Sequence, residues 1–105
     1  MVDKAPARNA LIAGNWKMNG SIPFVDSFSQ ELMAEMGGDE TSDVALFVPS
    51  LFLCSASEMF SGSRIVVGAQ NVSEHNDGAY TGEVSASMLS GVGCCWVLIG
   101  HSERR

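Results

Sequence analysis

Four short apolar runs divide the chain: ALIAG at 10–14, DVALFVP at 43–49, RIVVGAQ at 64–70 and CCWVLIG at 94–100. Each is too short for a buried helix and is rich in β-branched and aliphatic residues. They predict strands near 10–14, 43–48, 64–69 and 94–100, apolar on both faces. Strands of that kind belong to parallel sheets, because an antiparallel sheet usually keeps one polar face.

The segments between them read as crossovers. Ser21 can cap a helix that accommodates Pro23 in its first turn, and Phe24, Phe28, Leu32 and Met36 recur every four residues before Gly37 and Gly38 end it. LFLCSASEMF, residues 51–60, has the length of a short helix, and another is expected over Val84 to Leu89. Residues 71–82 are polar and turn-rich, with Asn76, Asp77 and Gly78 at the tip of a long loop. The expected architecture is α/β, a (βα)3β unit with right-handed crossovers, forming one domain over residues 1–105. Cover on both faces could come from a doubly wound sheet or from barrel closure, and the pattern fits either.

Composition removes several function classes. With 46% hydrophobic and 17% charged residues the chain is globular and not disordered. No apolar run approaches the roughly 18 residues that cross a bilayer. A net charge of −6 argues against binding a nucleic-acid backbone. The opening stretch MVDKAPARNA lacks an apolar core, so no secretion signal and a cytoplasmic location are expected. Cys54, Cys94 and Cys95 match neither zinc nor CxxC spacing, and no metal is expected. They are expected as buried small hydrophobes in a reducing compartment. His75 reads as an exposed loop histidine, and the sequon at Asn71 carries no weight without secretion.

If the sheet is parallel, the segments after the first and fourth strands, NWKMNG and HSERR, lie at the same end. That places Asn15, Lys17, His101 and Glu103 within reach of one another. An amide, an ammonium, an imidazole and a carboxylate together suit an anionic, carbonyl-bearing small molecule and can stabilise charge on its oxygen.

Four motifs, GNWKMNG at 14–20, GAQNV at 68–72, GAYTGEVS at 78–85 and GHSERR at 100–105, stand in an order that resembles the triosephosphate isomerase family. The resemblance implies the N-terminal part of a TIM (β/α)8 barrel, incomplete in this chain, from a cytoplasmic homodimer. It also implies the glycolytic and gluconeogenic interconversion of dihydroxyacetone phosphate and glyceraldehyde 3-phosphate, without a cofactor. His101 would be the neutral electrophile, a role taken from the family, itself the usual illustration of such tuning, and not predicted from the residues. Lys17 would balance the charge of substrate and enediolate, Asn15 would bind substrate, and Glu103 would pair with Lys17. Ser102 would support the resting catalytic base. In the homodimer Thr81 would contact the partner's site, while Glu83 and Arg104 would form an oppositely charged pair across the interface.

A barrel of this kind takes roughly 250 residues. The expectation is therefore that the chain is an N-terminal piece without the family's catalytic glutamate, lid and phosphate loops, and that alone it is inactive. The alternative from a different class is a half-barrel module that pairs with a copy of itself or with a complementary fragment. A small unrelated phosphate-binding domain is disfavoured, because no G-x-x-x-x-G-K or G-x-G-x-x-G loop follows any strand.

Overall fold

The structure, a computed structural model, describes residues 10–36 and 42–105. Gly37 and Gly38, where the sequence predicts the first helix to end, lie outside the described residues. In chain order the elements are β1 (Ala10–Asn15), α1 (Ile22–Glu35), β2 (Ser42–Val48), a 3-10 turn (Ser50–Phe52) and α2 (Leu53–Met59). β3 (Ile65–Ala69), α3 (Ala86–Gly91), β4 (Trp96–Val97) and a last 3-10 turn (Ser102–Arg104) follow.

The four strands form one parallel sheet in the order β1-β2-β3-β4. A doubly wound sheet must reverse its strand order so that helices reach both faces. Here the order never reverses, and the helices gather on one side. Val44, Leu46 and Val48 of β2 and Ile65, Val67 and Ala69 of β3 share one apolar core with Val25 of α1, Leu53 and Ala56 of α2, and Leu89 of α3. The alternate residues point to the other face, where Asn15, Phe47, Gly68 and Trp96 stand side by side across the sheet.

On that second face Phe47 lies directly over Gly68. A β-carbon at Gly68 would stand 2.6 Å from the Phe47 ring, so only glycine leaves the space the ring fills. Phe47 is thereby buried without a helix above it. β1 is more open, with Leu11 exposed on one face and Ile12 on the other.

Ser21 caps α1, its hydroxyl accepting from the N–H of Phe24 at 3.1 Å, and Pro23 sits in the first turn. The buried stripe differs from the predicted one. Val25 and Ser29 face the core, flanked by Phe28, Leu32, Met33 and Met36, while Phe24 is largely exposed. A spacing of four on a 3.6-residue helix drifts by about 40° per step, so the predicted row starts at the edge of the buried stripe with Phe24 and runs into it with Phe28, Leu32 and Met36. Phe24 instead packs edge-on against Trp16, with ring centroids 5.0 Å apart.

The last strand is shorter than predicted. Only Trp96 and Val97 pair in register with β3, and the N–H groups of Cys95 and Leu98 extend the ladder by one bond at each end. The third helix begins at Ala86, past Val84, because Ser85 supplies the cap, accepting from the N–H of Met88. The cysteines are not buried as expected: Cys54 and Cys95 are exposed and Cys94 is half-buried. Cys54 lies on the solvent side of α2, and Cys95 stands where the sheet has no further strand among the described residues to cover it.

Candidate active site

The C-terminal ends of the strands surround a cleft of about 560 Å³. Asn15, Lys17, Gln70, Glu83, His101, Glu103 and Arg104 all line it. Residues up to 89 positions apart in sequence, Asn15 and Arg104, meet there because a parallel sheet gathers its strand ends at one edge.

The segment after β1 is anchored first. The N–H of Trp16 donates to the carbonyl of Phe47 at 2.9 Å, continuing the β1-β2 ladder by one residue. The indole then wedges among Phe24, Phe28 and Phe52, with ring centroids 5.0, 5.3 and 6.4 Å away. Asn19 donates its side-chain amide to the carbonyl of Trp16 at 2.8 Å. Gly20 closes the turn at a φ of +120°, and any β-carbon there would meet the rings of Trp16 and Phe52. Position and conformation both require glycine.

Between these anchors Lys17 adopts a φ of +57°, the left-handed region, as the one non-glycine residue to do so among those described. That conformation costs a non-glycine residue roughly 1–2 kcal/mol. Its N–H donates to Oδ1 of Asn15 at 2.9 Å, and its carbonyl accepts from Nε2 of Gln70 at 2.8 Å. A strained residue held from both sides is the signature of a site whose geometry matters more than its local stability.

From there the ammonium of Lys17 reaches Oε2 of Glu103 at 3.3 Å. Both side chains are more than half exposed, so the pair is worth about 0–1 kcal/mol. Its effect is to aim, not to stabilise. His101 lies just before the last 3-10 turn and caps it with its own ring, Nδ1 accepting from the N–H of Glu103 at 3.1 Å. The carboxylate Oε1 of Glu103 is 3.5 Å from the same nitrogen. A nitrogen that accepts from the backbone has no proton to offer a carboxylate, so this contact is not an ion pair. The ring proton then belongs on Nε2.

The other residues named from sequence distribute differently. Glu83 and Arg104 line the cleft, but no ion pair joins them among the described residues. Ser102 is exposed at the start of the last turn, outside the cleft lining. Thr81 is exposed on the long loop, also outside it. That loop is stitched at its base by the N–H of Ser73 donating to the carbonyl of Val84 at 2.8 Å. His75 is exposed there but not idle, its ring stacked on Tyr80 with centroids 3.9 Å apart. Gln70 was not singled out in the sequence. The signal was present, since it is the polar residue that closes the third apolar run, directly after β3, as Asn15 closes the first strand.

The triosephosphate isomerase family model matches residues 10–105. Over 98 residues the chain is 49% identical to the triosephosphate isomerase of Herminiimonas arsenicoxydans, covering 93% of this chain and 39% of that protein. The enzyme of Methylococcus capsulatus is 45% identical over the same length and the same shares. The crystal structure of triosephosphate isomerase from Bartonella henselae superposes with a TM-score of 0.78 at 39% identity, covering 93% of this chain and 40% of that one. The chain thus spans about two-fifths of the length of its relatives, and its singly wound sheet is the corresponding part of a (β/α)8 barrel. With the match running over all its described residues, the chain belongs to the triosephosphate isomerase family.

Proposed function

We propose that this chain carries the electrophilic half of a triose-phosphate isomerase site. In the reaction a base removes the proton α to the substrate carbonyl, and the electron pair moves onto the carbonyl oxygen to give an enediolate. The proton then returns to the neighbouring carbon. Nε2–H of His101 donates to the oxygen on which charge develops, Lys17 offsets that charge and the phosphate's, and Asn15 holds the substrate by hydrogen bonding. Glu103 keeps Lys17 aimed. No cofactor is required, because a proton moves between adjacent carbons and no net oxidation occurs.

The observation that carries this reading is the bond from the Glu103 N–H to Nδ1 of His101, which leaves Nε2 free to donate. We assign the base to neither carboxylate of the cleft, placing Glu83 instead at the subunit interface. The cleft's two lining carboxylates are Glu83 and Glu103, and Glu103 is engaged with Lys17. Without a positioned base the step forfeits a factor on the order of 10² to 10⁴, so the chain alone is expected to be inactive. In the homodimer, Thr81 reaches the partner's site, Ser102 supports the resting base, and Glu83 and Arg104 pair between subunits. The expected compartment is the cytoplasm; among the described residues no helix is long and apolar enough to cross a membrane.

The test is steady-state isomerisation of glyceraldehyde 3-phosphate by the chain alone, and by residues 10–105 grafted in place of the matching segment of the Herminiimonas arsenicoxydans relative. The graft should be active, its His101→Gln version should not, and the isolated chain should match background. Equal activity of both grafts would remove the assignment.

A second reading, a half-barrel that assembles with a copy or a complementary fragment, draws on the exposed Leu11, Ile12, Trp96 and Ile99 at the open sheet edges. A strictly monomeric, well-folded chain in size-exclusion chromatography would count against it.

A further inference from the structure

Gln70, the first residue after β3, sets one amide nitrogen against three oxygens from two other strand ends. Nε2 lies 2.8 Å from the carbonyl of Lys17, 3.2 Å from the carbonyl of Phe47 and 3.3 Å from Oδ1 of Asn15. With two N–H groups for three acceptors, the short bond to Lys17 is one full bond and the other proton is shared.

Two consequences meet at the cleft. Lys17 has its N–H held by Asn15 and its carbonyl held by Gln70, so the left-handed turn is fixed at both of its backbone polar groups. Asn15, which lines the cleft, receives two donors on its oxygen, from Lys17 and Gln70, and these bonds leave its amide nitrogen free for another partner. Remove the Gln70 donor and the Lys17 carbonyl loses its side-chain partner, while the Asn15 amide loses half of what sets its orientation.

We infer that Gln70 is the positioning residue of this site: its carboxamide ties the ends of β1, β2 and β3 together, holds Lys17 in its left-handed turn and orients the Asn15 amide toward substrate. Its effect on turnover rests on the isomerase reading above; its effect on geometry does not.

Two measurements separate these. In the full chain labelled with 15N and 13C, the Cα and Cβ shifts of Lys17 report its backbone conformation. Gln70→Met, which keeps the length but removes both donors, should shift Lys17 out of the left-handed region and leave the amide shifts of α2 in place. Lys17 unmoved in that variant overturns the inference. In the grafted enzyme, Gln70→Met should lower kcat/KM on the order of 10²-fold. Added to Lys17→Ala it should cost little more, since the two residues act as one unit. Gln70→Glu should recover part of the loss as pH falls, because a protonated carboxyl regains one donor. Fully additive losses, or a Gln70→Glu deficit that ignores pH, would reduce Gln70 to a packing role. A graft indifferent to His101→Gln sinks the isomerase reading, and the Lys17 shifts still decide the geometry.

Discussion

The backbone N–H of Glu103 donates to Nδ1 of His101 at 3.1 Å, while the carboxylate of the same residue lies 3.3 Å from Nζ of Lys17. One residue thus touches both candidate reactive groups, the ring through its main chain and the ammonium through its side chain. The main-chain bond survives any substitution at 103 that keeps the turn, whereas the ion pair does not. Glu103→Gln is therefore expected to leave His101 in place and to free Lys17. In the grafted enzyme this should lower turnover less than Lys17→Ala does, a ranking that steady-state kinetics on the two variants would establish or reverse.

Lys17 itself separates stability from activity. Lys17→Gly relieves the left-handed strain and should raise stability by up to about 1 kcal/mol, while Lys17→Ala keeps the strain and gains nothing. Both remove the ammonium and should abolish turnover alike in the grafted enzyme. Urea unfolding beside an activity assay tests this; a glycine variant less stable than the alanine one would show that the turn is not strained.

Gly68→Ala should destabilise the fold by about 1–3 kcal/mol, because the new methyl would stand 2.6 Å from the Phe47 ring. Shortening the ring in Gly68→Ala/Phe47→Leu should return part of the loss. Denaturation midpoints of the single and double variants would decide it, and an additive double variant would mean that the two residues do not share that space.

Burial pushes the Cys94 thiol up from its ordinary range. At mildly alkaline pH it should therefore be alkylated after the exposed Cys54 and Cys95, which mass spectrometry of iodoacetamide-treated protein would resolve. The sign for stability follows. The folded thiol keeps its proton to higher pH than the unfolded one, so its contribution is complete below the ordinary thiol range and is lost as pH rises through the folded value. Cys94→Ser should flatten that alkaline decline.

For the homodimer proposed above, Thr81→Ala with Glu83→Gln in the grafted enzyme should raise the dimer dissociation constant before it alters monomer stability. Sedimentation equilibrium across a concentration series would read this, and an unchanged constant would remove both residues from the interface.

What the sequence determined by itself was local. Apolar runs bounded by glycine and proline marked the strands, because burial on both faces leaves no room for polar alternation, and Ser21 marked a helix start because its hydroxyl satisfies an orphan amide. The polar residues directly after the first and last runs, Asn15, Lys17, His101 and Glu103, could be grouped from parallel topology alone. What only the tertiary structure decided depended on packing at a distance. The unreversed strand order chose a singly wound sheet over a doubly wound one. Val25 and Ser29 took the centre of the buried face of α1, with Phe28, Leu32 and Met36 of the predicted row beside them and Phe24 at the edge against Trp16. The cysteines ended up half or fully exposed because exposure depends on what lies above a residue, which hydrophobicity does not report. Gln70 escaped notice for the same reason. Its three acceptors come from residues 23 to 55 positions away in the chain, and no local pattern encodes an amide whose partners are brought to it by the sheet.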